Sequence, residues 1–225
     1  MSFLRFVFGN VRYVLKSSSN ERSLAAIIKV IKELVNIAFS ILSAKVVGWP
    51  NSCLGSGSRV SGSNGIVVKG LASIKKQAWI EAVFKYNAQL FSPSIIIGYR
   101  FYAADRLHIS AINKIEIGDD CLFGSSVYIS DHNHGSYKGI EQSNPQESPI
   151  ARKLVSLGPV IIGNNVWLGD NVVIVGPVKI GSGSVIGANS VITKDIPEMA
   201  IAAGVPAQIL KKFNVETNVW EKVIN

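Results

Sequence analysis

From Ile162 onward the chain repeats every six residues. Ile162, Leu168, Ile174, Ile180, Ile186 and Ile192 are evenly spaced, and Val166, Val172, Val178, Ser184 and Ser190 stand two positions before the later five. Gly163, Gly169, Gly181 and Gly187 follow four of the aliphatics. Six steps of roughly 100° do not return to the same side of an α-helix, so the pattern is not helical. Positions two apart do share one side of a strand, and a glycine directly afterwards permits a tight turn. The spacing predicts short strands joined by turns, three strands closing a triangular coil of eighteen residues. Stacked coils bury continuous aliphatic ladders, as in a parallel β-helix. The pattern also runs through Ile97, Ala103, Ile109 and Ile115, and resumes after a two-residue slip at Ile117, Phe123 and Ile129. Residues 51–96 are rich in Gly, Ser, Val and Ile but out of register, which predicts less regular first coils. An ordinary β-sandwich does not fit, since its turns recur about every 8–12 residues.

The first fifty residues follow a different period. Phe3, Leu4, Phe6, Val7, Val11, Val14 and Leu15 surround Arg5, Gly9, Arg12 and Lys16, which recur at helical spacing. Residues 17–23 are polar. In residues 24–47, Lys29, Lys32, Glu33, Asn36, Ser40 and Ser43 fall on one narrow helical stripe, and nearly everything else is apolar. Two amphipathic helices are predicted, the second capped by Ser19 or Asn20. Seven basic and two acidic side chains give this stretch +5 of the chain's net +8. A basic amphipathic helix suits an anionic membrane surface. Packing on the rest of the protein or on a neighbouring subunit is the other use open to it. No recognition motif accompanies the basic residues, so nucleic acid is not an expected partner. The resulting division is a helical segment at 1–50, a β-helix domain at 51–213 and a tail at 214–225.

Of the 225 residues, 48% are apolar and only 17% charged, which excludes an intrinsically disordered protein. Lys29, Lys32, Glu33 and Lys45 interrupt the longest apolar run, so no membrane-spanning helix is expected. No small-residue cleavage site follows a short apolar core at the front, so no secretory signal is expected either. Cys53 and Cys121 make no disulfide framework, and a reducing cytoplasm is the simplest compartment.

Ile129 and Ile162 are 33 residues apart, not a multiple of six. The chain must leave the coil there, and residues 131–158 read as one extruded polar loop. It opens with Asp131-His132-Asn133-His134. A long loop on a rigid solenoid is a natural seat of function. His108 precedes the inward Ile109 and reads as a surface histidine. The three histidines lack zinc spacing and no cysteine joins them, so no metal is expected.

Four stretches carry a family likeness: I-S-D-H-N-H-G (129–135), P-V-I-I-G-N-N-V-W-L-G (159–169), V-I-G-A-N-S-V-I-T-K-D-I-P (185–197) and A-A-G-V-P-A (202–207). Over about residues 92–213 the sequence resembles the hexapeptide-repeat acyltransferases. Within them it is most similar to the sugar and polysaccharide O-acetyltransferases, the branch of the galactoside, maltose, O-antigen and capsule enzymes. The resemblance implies an all-β, left-handed parallel β-helix, against the usual crossover hand. It also implies acetyl-CoA as cosubstrate and a homotrimer with active sites between subunits.

The same resemblance assigns residues. His132, where the loop leaves the coil, matches the base that deprotonates an acceptor hydroxyl, a task imidazole suits near neutral pH. His134, Tyr102 and Asp131 fall on the acceptor side or in secondary roles. Asp131 is adjacent in sequence and is expected to point away from His132. The group that orients the base is therefore open, with Glu141 and Glu147 as loop alternatives. Trp167 and Gly169 match the acetyl-CoA channel, and the backbone N–H of Asp170 the donor to the thioester oxygen. Ala188 and Ser190 match backbone contacts to the pantetheine arm. Thr193, Lys194 and Lys211 match positions near the nucleotide phosphates. Residues eighteen apart share an outer face, Trp167 with Val185 and Val173 with Val191, while Lys179 lies on the third. Two apolar outer faces call for cover, as in an oligomer.

The acceptor side departs from the galactoside type. A Phe-Tyr-Ala-Asn run that binds the sugar there reads Phe101-Tyr102-Ala103-Ala104 here. An Asp pair is replaced by Ala111-Ile112, and an Arg after the final Pro by Gln208. The expected activity is acetyl-CoA-dependent O-acetylation of a saccharide of a surface polysaccharide or its precursor, by direct attack on the thioester. N-acetylation of an amino sugar and a non-catalytic scaffold are the alternatives. The expected location is cytoplasmic, with peripheral membrane contact if the basic helices bind lipid.

Overall fold

The computed structural model describes residues 3–17 and 24–223. Two helices come first, α1 (Phe3–Ser17) and α2 (Leu24–Val46), where the helical period placed them. Ser19 and Asn20, the expected caps, lie outside the described residues. Among the described residues no helix is long and apolar enough to cross a membrane.

The rest of the chain visits three sheets in rotation, each strand pairing in parallel with the strand one coil later. The first coil is β1 (Cys53–Leu54), β2 (Arg59–Ser61) and β3 (Ile66–Val68). The second is β4 (Ala72–Ile74) and β5 (Trp79–Ala82), then a hairpin of β6 (Lys85–Tyr86) and β7 (Gln89–Leu90), then β8 (Ser94–Ile97). The third is β9 (Phe101–Ala103), β10 (His108–Ala111) and β11 (Lys114–Ile117). The fourth is β12 (Leu122–Phe123) and β13 (Tyr128–Ser130), then the extruded loop with β14 (Asn133–His134) and β15 (Leu154–Val155), then β16 (Val160–Ile162). The fifth is β17 (Trp167–Leu168), β18 (Val173–Val175) and β19 (Val178–Ile180). The sixth is β20 (Val185–Ile186), β21 (Val191–Ile192) and a bridge from Ile180 to Ile196. Then β22 (Ala200–Gly204), β23 (Ala207–Asn214) and β24 (Val219–Lys222) end the first face, the last two antiparallel.

Two expectations change here. The sequence reading has one excursion, whereas the structure has two. The hairpin at 83–93 leaves between the second and third faces, at the same edge as the loop at 131–158. A short 3-10 turn at Ser63–Gly65 and this hairpin put residues 51–96 out of register. Residues 214–225, read as a tail, contribute β24.

Each face buries one ladder. On the second face Ile80, Ile109, Ile129, Ile174 and Ile192 stack in register with no exposed surface. Each such side chain contributes about 1.5–3 kcal/mol. The repeat glycines serve contact between coils rather than turn conformation. A Cβ on Gly118 would lie 2.7 Å from the Gly163 carbonyl one coil above. The left-handed turn positions go to Asn165, Asn171 and Asn189 instead, at φ 56°, 57° and 59°, and Asn tolerates that conformation.

Helix α2 packs beside β1 and has three sides rather than two. Ala44 is buried, and Val30, Leu34, Ile37 and Ile41 are half-buried. Part of the polar stripe turns inward, where Glu33, Asn36 and Ser40 line a small slot against Cys53, Ser73 and Lys75. Ile28, Ile31, Val35, Phe39, Leu42 and Val46 are left outside, 44–78% exposed.

Candidate active site

The two-residue slip has a structural meaning. Ile97 pairs with Ile117, twenty residues on, whereas Ile162 pairs with Ile180, eighteen on. The extra residues widen the corner between β10 and β11, at Ile112 and Asn113. Both backbone N–H groups of that corner donate to one carboxylate, Asp131, at 3.0 and 2.8 Å. Asp131 has no exposed surface. Its Oδ1 also lies 2.9 Å from His132 Nδ1. A carboxylate only accepts, so Nδ1 carries a proton, and in the neutral ring the lone pair is then on Nε2.

The expectation that Asp131 points away from His132 is therefore wrong. It assumed strand alternation, but β13 ends at Ser130 and the chain bends out at Asp131. Neighbouring side chains converge across such a bend. Two amide donors and an imidazole offset the cost of burying the charge. Asp131 is wholly buried, and its carboxylate is shared between the two amides and His132. The His132 side chain is 10% exposed. Ser130 Oγ steadies its backbone, donating to the His132 carbonyl at 2.9 Å and accepting from its N–H at 3.2 Å. Glu141 and Glu147 stand exposed farther out in the loop.

The hairpin braces this loop. Gln89 Oε1 accepts from the Leu154 N–H at 2.8 Å, and Gln89 Nε2 donates to the Leu154 carbonyl at 3.2 Å. Leu154 pairs in turn with His134 through β15 and β14. Tyr86 Oη donates to the Ile150 carbonyl at 2.6 Å and lies 3.3 Å from His134 Nδ1. His134 is thus engaged in holding the loop. Arg152 ties the middle of the loop to the Glu147 and Pro145 carbonyls and to Tyr137 Oη. Sequence reasoning missed Tyr86 and Gln89; the broken register at 83–93 was the available signal.

His108 is not a plain surface residue. It is half-buried on the outer side of the second face, stacked on Trp79 with ring centroids 4.5 Å apart and 6° between planes. Tyr128 meets it edge-on at 5.0 Å. Burial pushes the His108 imidazole below its ordinary pKa; Glu81 opposes the shift and a proton on His132 adds to it.

The residues matched to acetyl-CoA lie elsewhere on the coil. Trp167, 52% exposed, shares an outer row of the first face with Tyr102, Leu122 and Val185. A Cβ on Gly169 would lie 2.6 Å from the Ala188 nitrogen, so these two stack at the corner between the first and second faces. Asp170, at the same corner, accepts through its carbonyl from the Asn189 N–H at 2.8 Å and through its carboxylate from the Ser125 N–H. The Ser190 hydroxyl works inward, donating to the Gly187 carbonyl and accepting from the Gly204 N–H. Thr193 and Lys194 are exposed, and Thr193 lines a cavity of about 400 Å³ with Asn133, Lys138, Val155 and Pro177. Lys211 is half-buried on β23, opposite Ile201. Within one chain, Tyr102, Trp167 and Asp170 are not brought to His132, which leaves the coil at a different corner. Among the described residues no cluster of His, Cys, Asp and Glu could hold a metal ion.

The family described as "Bacterial transferase hexapeptide (six repeats)" matches residues 159–194, and "Hexapeptide repeat of succinyl-transferase" matches residues 114–135. Over 119 residues the chain is 42% identical to WbbJ of Escherichia coli K12, named as a lipopolysaccharide biosynthesis O-acetyl transferase. That match covers 52% of this chain and 60% of the relative's length. The chain is 34% identical over 157 residues to the galactoside O-acetyltransferase of Escherichia coli K12, covering 70% of this chain and 71% of that one. A point mutant of AntD, an N-acyltransferase from Bacillus cereus solved with dTDP and coenzyme A, superposes with a TM-score of 0.55 at 18% identity. It covers 74% of this chain and 83% of its own, a likeness of fold alone.

Proposed function

The chain belongs to the hexapeptide-repeat acyltransferases, in the branch of the sugar and polysaccharide O-acetyltransferases, and from that footing we propose that it transfers an acetyl group from acetyl-CoA to a saccharide hydroxyl. The observation that carries the reading is the buried Asp131 held by two backbone amides and bonded to His132 Nδ1. That contact fixes the tautomer with Nε2 free to accept a proton. The acceptor O–H gives its proton to Nε2 as its oxygen attacks the thioester carbonyl. The tetrahedral oxyanion then collapses, the C–S bond breaks, and the imidazolium returns the proton to the leaving thiolate. No acyl-enzyme is needed. General-base assistance of this kind contributes about 10²–10⁴-fold.

On this reading the three-faced coil is the family's left-handed parallel β-helix. The Asp170 backbone N–H serves as oxyanion donor. Trp167, Gly169, Ala188 and the Ser190 backbone line the coenzyme channel, with Thr193, Lys194 and Lys211 toward the phosphates. The exposure of Trp167, Thr193 and Lys194 fits a bound ligand. The separation of His132 from Trp167 and Asp170 supports a homotrimer, in which the corner of one subunit completes the site of its neighbour. The acceptor is a saccharide of a surface polysaccharide or its precursor, as the names of WbbJ and the galactoside enzyme suggest. Mass spectrometry of polysaccharide from a strain lacking the protein tests this: an acetyl group should be lost, and an unchanged spectrum counts against the reading.

The helices favour peripheral contact with the cytoplasmic face of a membrane. Six large apolar side chains of α2 stand exposed in one stripe, with Lys29 and Lys32 also exposed beside them. An apolar stripe edged by cations complements an anionic lipid surface. Flotation with vesicles rich in phosphatidylglycerol should carry the full chain upward. Flotation equal to that with neutral vesicles would contradict it.

A further inference from the structure

We infer that the outer surface of the second face, over the second to fourth coils, binds the acceptor, with Glu81 anchoring one sugar hydroxyl while His132 deprotonates another. The inference rests on the reading of His132 as the base and adds a substrate subsite to it.

Three successive rungs of this face pair an aromatic ring with a hydrogen-bonding side chain two residues on. Trp79 stands with Glu81, His108 with Ser110, and Tyr128 with Ser130. On the next rung the same positions hold Val173 and Val175. The chemistry of the face therefore changes from aromatic and polar to aliphatic at the level where His132 leaves the coil. Ser110 and Ser130 are buried and bond to neighbouring protein groups. Ser110 Oγ donates to Glu81 Oε1 at 3.2 Å, and Ser130 steadies His132.

Glu81 is half-buried and held in place. Trp79 Nε1–H donates to its Oε2 at 3.0 Å, so both oxygens are oriented. A carboxylate has more acceptor sites than two donors fill, so capacity remains for a ligand hydroxyl. Among the described residues no cation forms an ion pair with Glu81. Arg59 stands opposite Trp79 on the preceding rung but forms no ion pair with Glu81, and a fixed carboxylate without such a partner disfavours phosphate and suits a neutral polyhydroxylated ligand. Burial lowers the proton affinity of His108, which lies between the two ends.

The spacing suits one sugar ring. Glu81 and the rung that leads to His132 are two strands apart, about 9.5 Å. Glu81 leans from its own strand onto Ser110, and His132 lies beside Ser130 on the strand beyond, a span that one sugar with a hydrogen bond at either end can bridge. The subsite therefore takes a neutral hexopyranose, and any phosphate of a linked carrier lies off this face.

The test uses the full chain, acetyl-CoA and four probes: p-nitrophenyl β-D-galactopyranoside, methyl α-D-glucopyranoside, methyl α-D-mannopyranoside and N-acetylglucosamine. Glu81→Gln should raise KM for the responding glycosides about 10- to 100-fold, the worth of a charge-assisted hydrogen bond. KM for acetyl-CoA, and its hydrolysis without sugar, should stay within about twofold. An unchanged glycoside KM, with His132→Ala still abolishing transfer, would overturn the subsite and leave the base intact. No transfer to any probe by the unaltered protein, with His132-dependent hydrolysis of acetyl-CoA retained, would overturn the neutral-hexose assignment. Loss of that His132 dependence as well would overturn the base reading itself. A changed mass of the Glu81→Gln protein in light scattering would reassign the face to a subunit contact.

Discussion

Replacing Asp131 by Asn removes one charge and turns one acceptor atom into a donor at nearly constant volume. Three donors converge on the native carboxylate, the amides of Ile112 and Asn113 at 3.0 and 2.8 Å and His132 Nδ1 at 2.9 Å. The carboxamide has a single acceptor oxygen, so at least one buried donor loses its partner. That costs about 1–3 kcal/mol of stability. If Nδ1 is the group released, the imidazole can take the other tautomer and point an N–H at the acceptor. The lost charge-assisted bond is worth about 1.5–3 kcal/mol, or about 10- to 150-fold in kcat. Steady-state release of coenzyme A thiol measures the effect, with KM for acetyl-CoA expected to hold within about twofold. A kcat within about threefold of the unaltered protein, in a variant that folds, would refute the positioning role of Asp131.

The remaining predictions concern the brace, the second imidazole and the thiols. Gln89→Ala removes both side-chain bonds to Leu154, so limited proteolysis within residues 131–158 should speed up and kcat fall about 3- to 10-fold; unchanged cleavage would show that the hairpin does not hold the loop. His108 is held below the ordinary imidazole value of 6.5, so the fold binds fewer protons than the unfolded chain as pH falls through that value. Stability should decline below that pH and the decline should lessen in His108→Gln, as thermal melts across pH would read; equal declines would contradict it. Burial pushes the Cys121 thiol up to about 11 and raises the Cys53 thiol as well. Neither should react with a disulfide reagent at about pH 8 until the protein is unfolded, and rapid labelling of the native chain would oppose the buried assignment.

The coil was legible in the chain because its signal is periodic and its cause local. Ile162 to Ile192 keep one spacing since each coil there is built alike. The slip between Ile115 and Ile117 was visible as a number, but its meaning was not. The wider corner matters because its two amides face Asp131, a contact nineteen and eighteen residues away in sequence. The hairpin at 83–93 has no period of its own, so Tyr86 and Gln89 read as filler in an irregular stretch. His132 was found through its place at the exit from the coil. Its partner was misjudged, because the alternation that holds inside a strand was carried one residue beyond the end of β13. Helix α2 shows a further limit. Its own pattern separates polar from apolar, yet which side meets β1 depends on the shape of the first coil, and part of the polar stripe faces inward.

The central claim is that this chain moves acetyl groups to a saccharide with His132 as the base. Incubating the full chain with acetyl-CoA labelled in the acetyl group and with surface polysaccharide that has been chemically de-O-acetylated tests it most directly. The account predicts label in alkali-labile esters on the saccharide with the unaltered protein, and a loss of about 10²–10⁴-fold in its rate with His132→Ala. Equal incorporation by the two proteins, or label only in amide linkage, would contradict it.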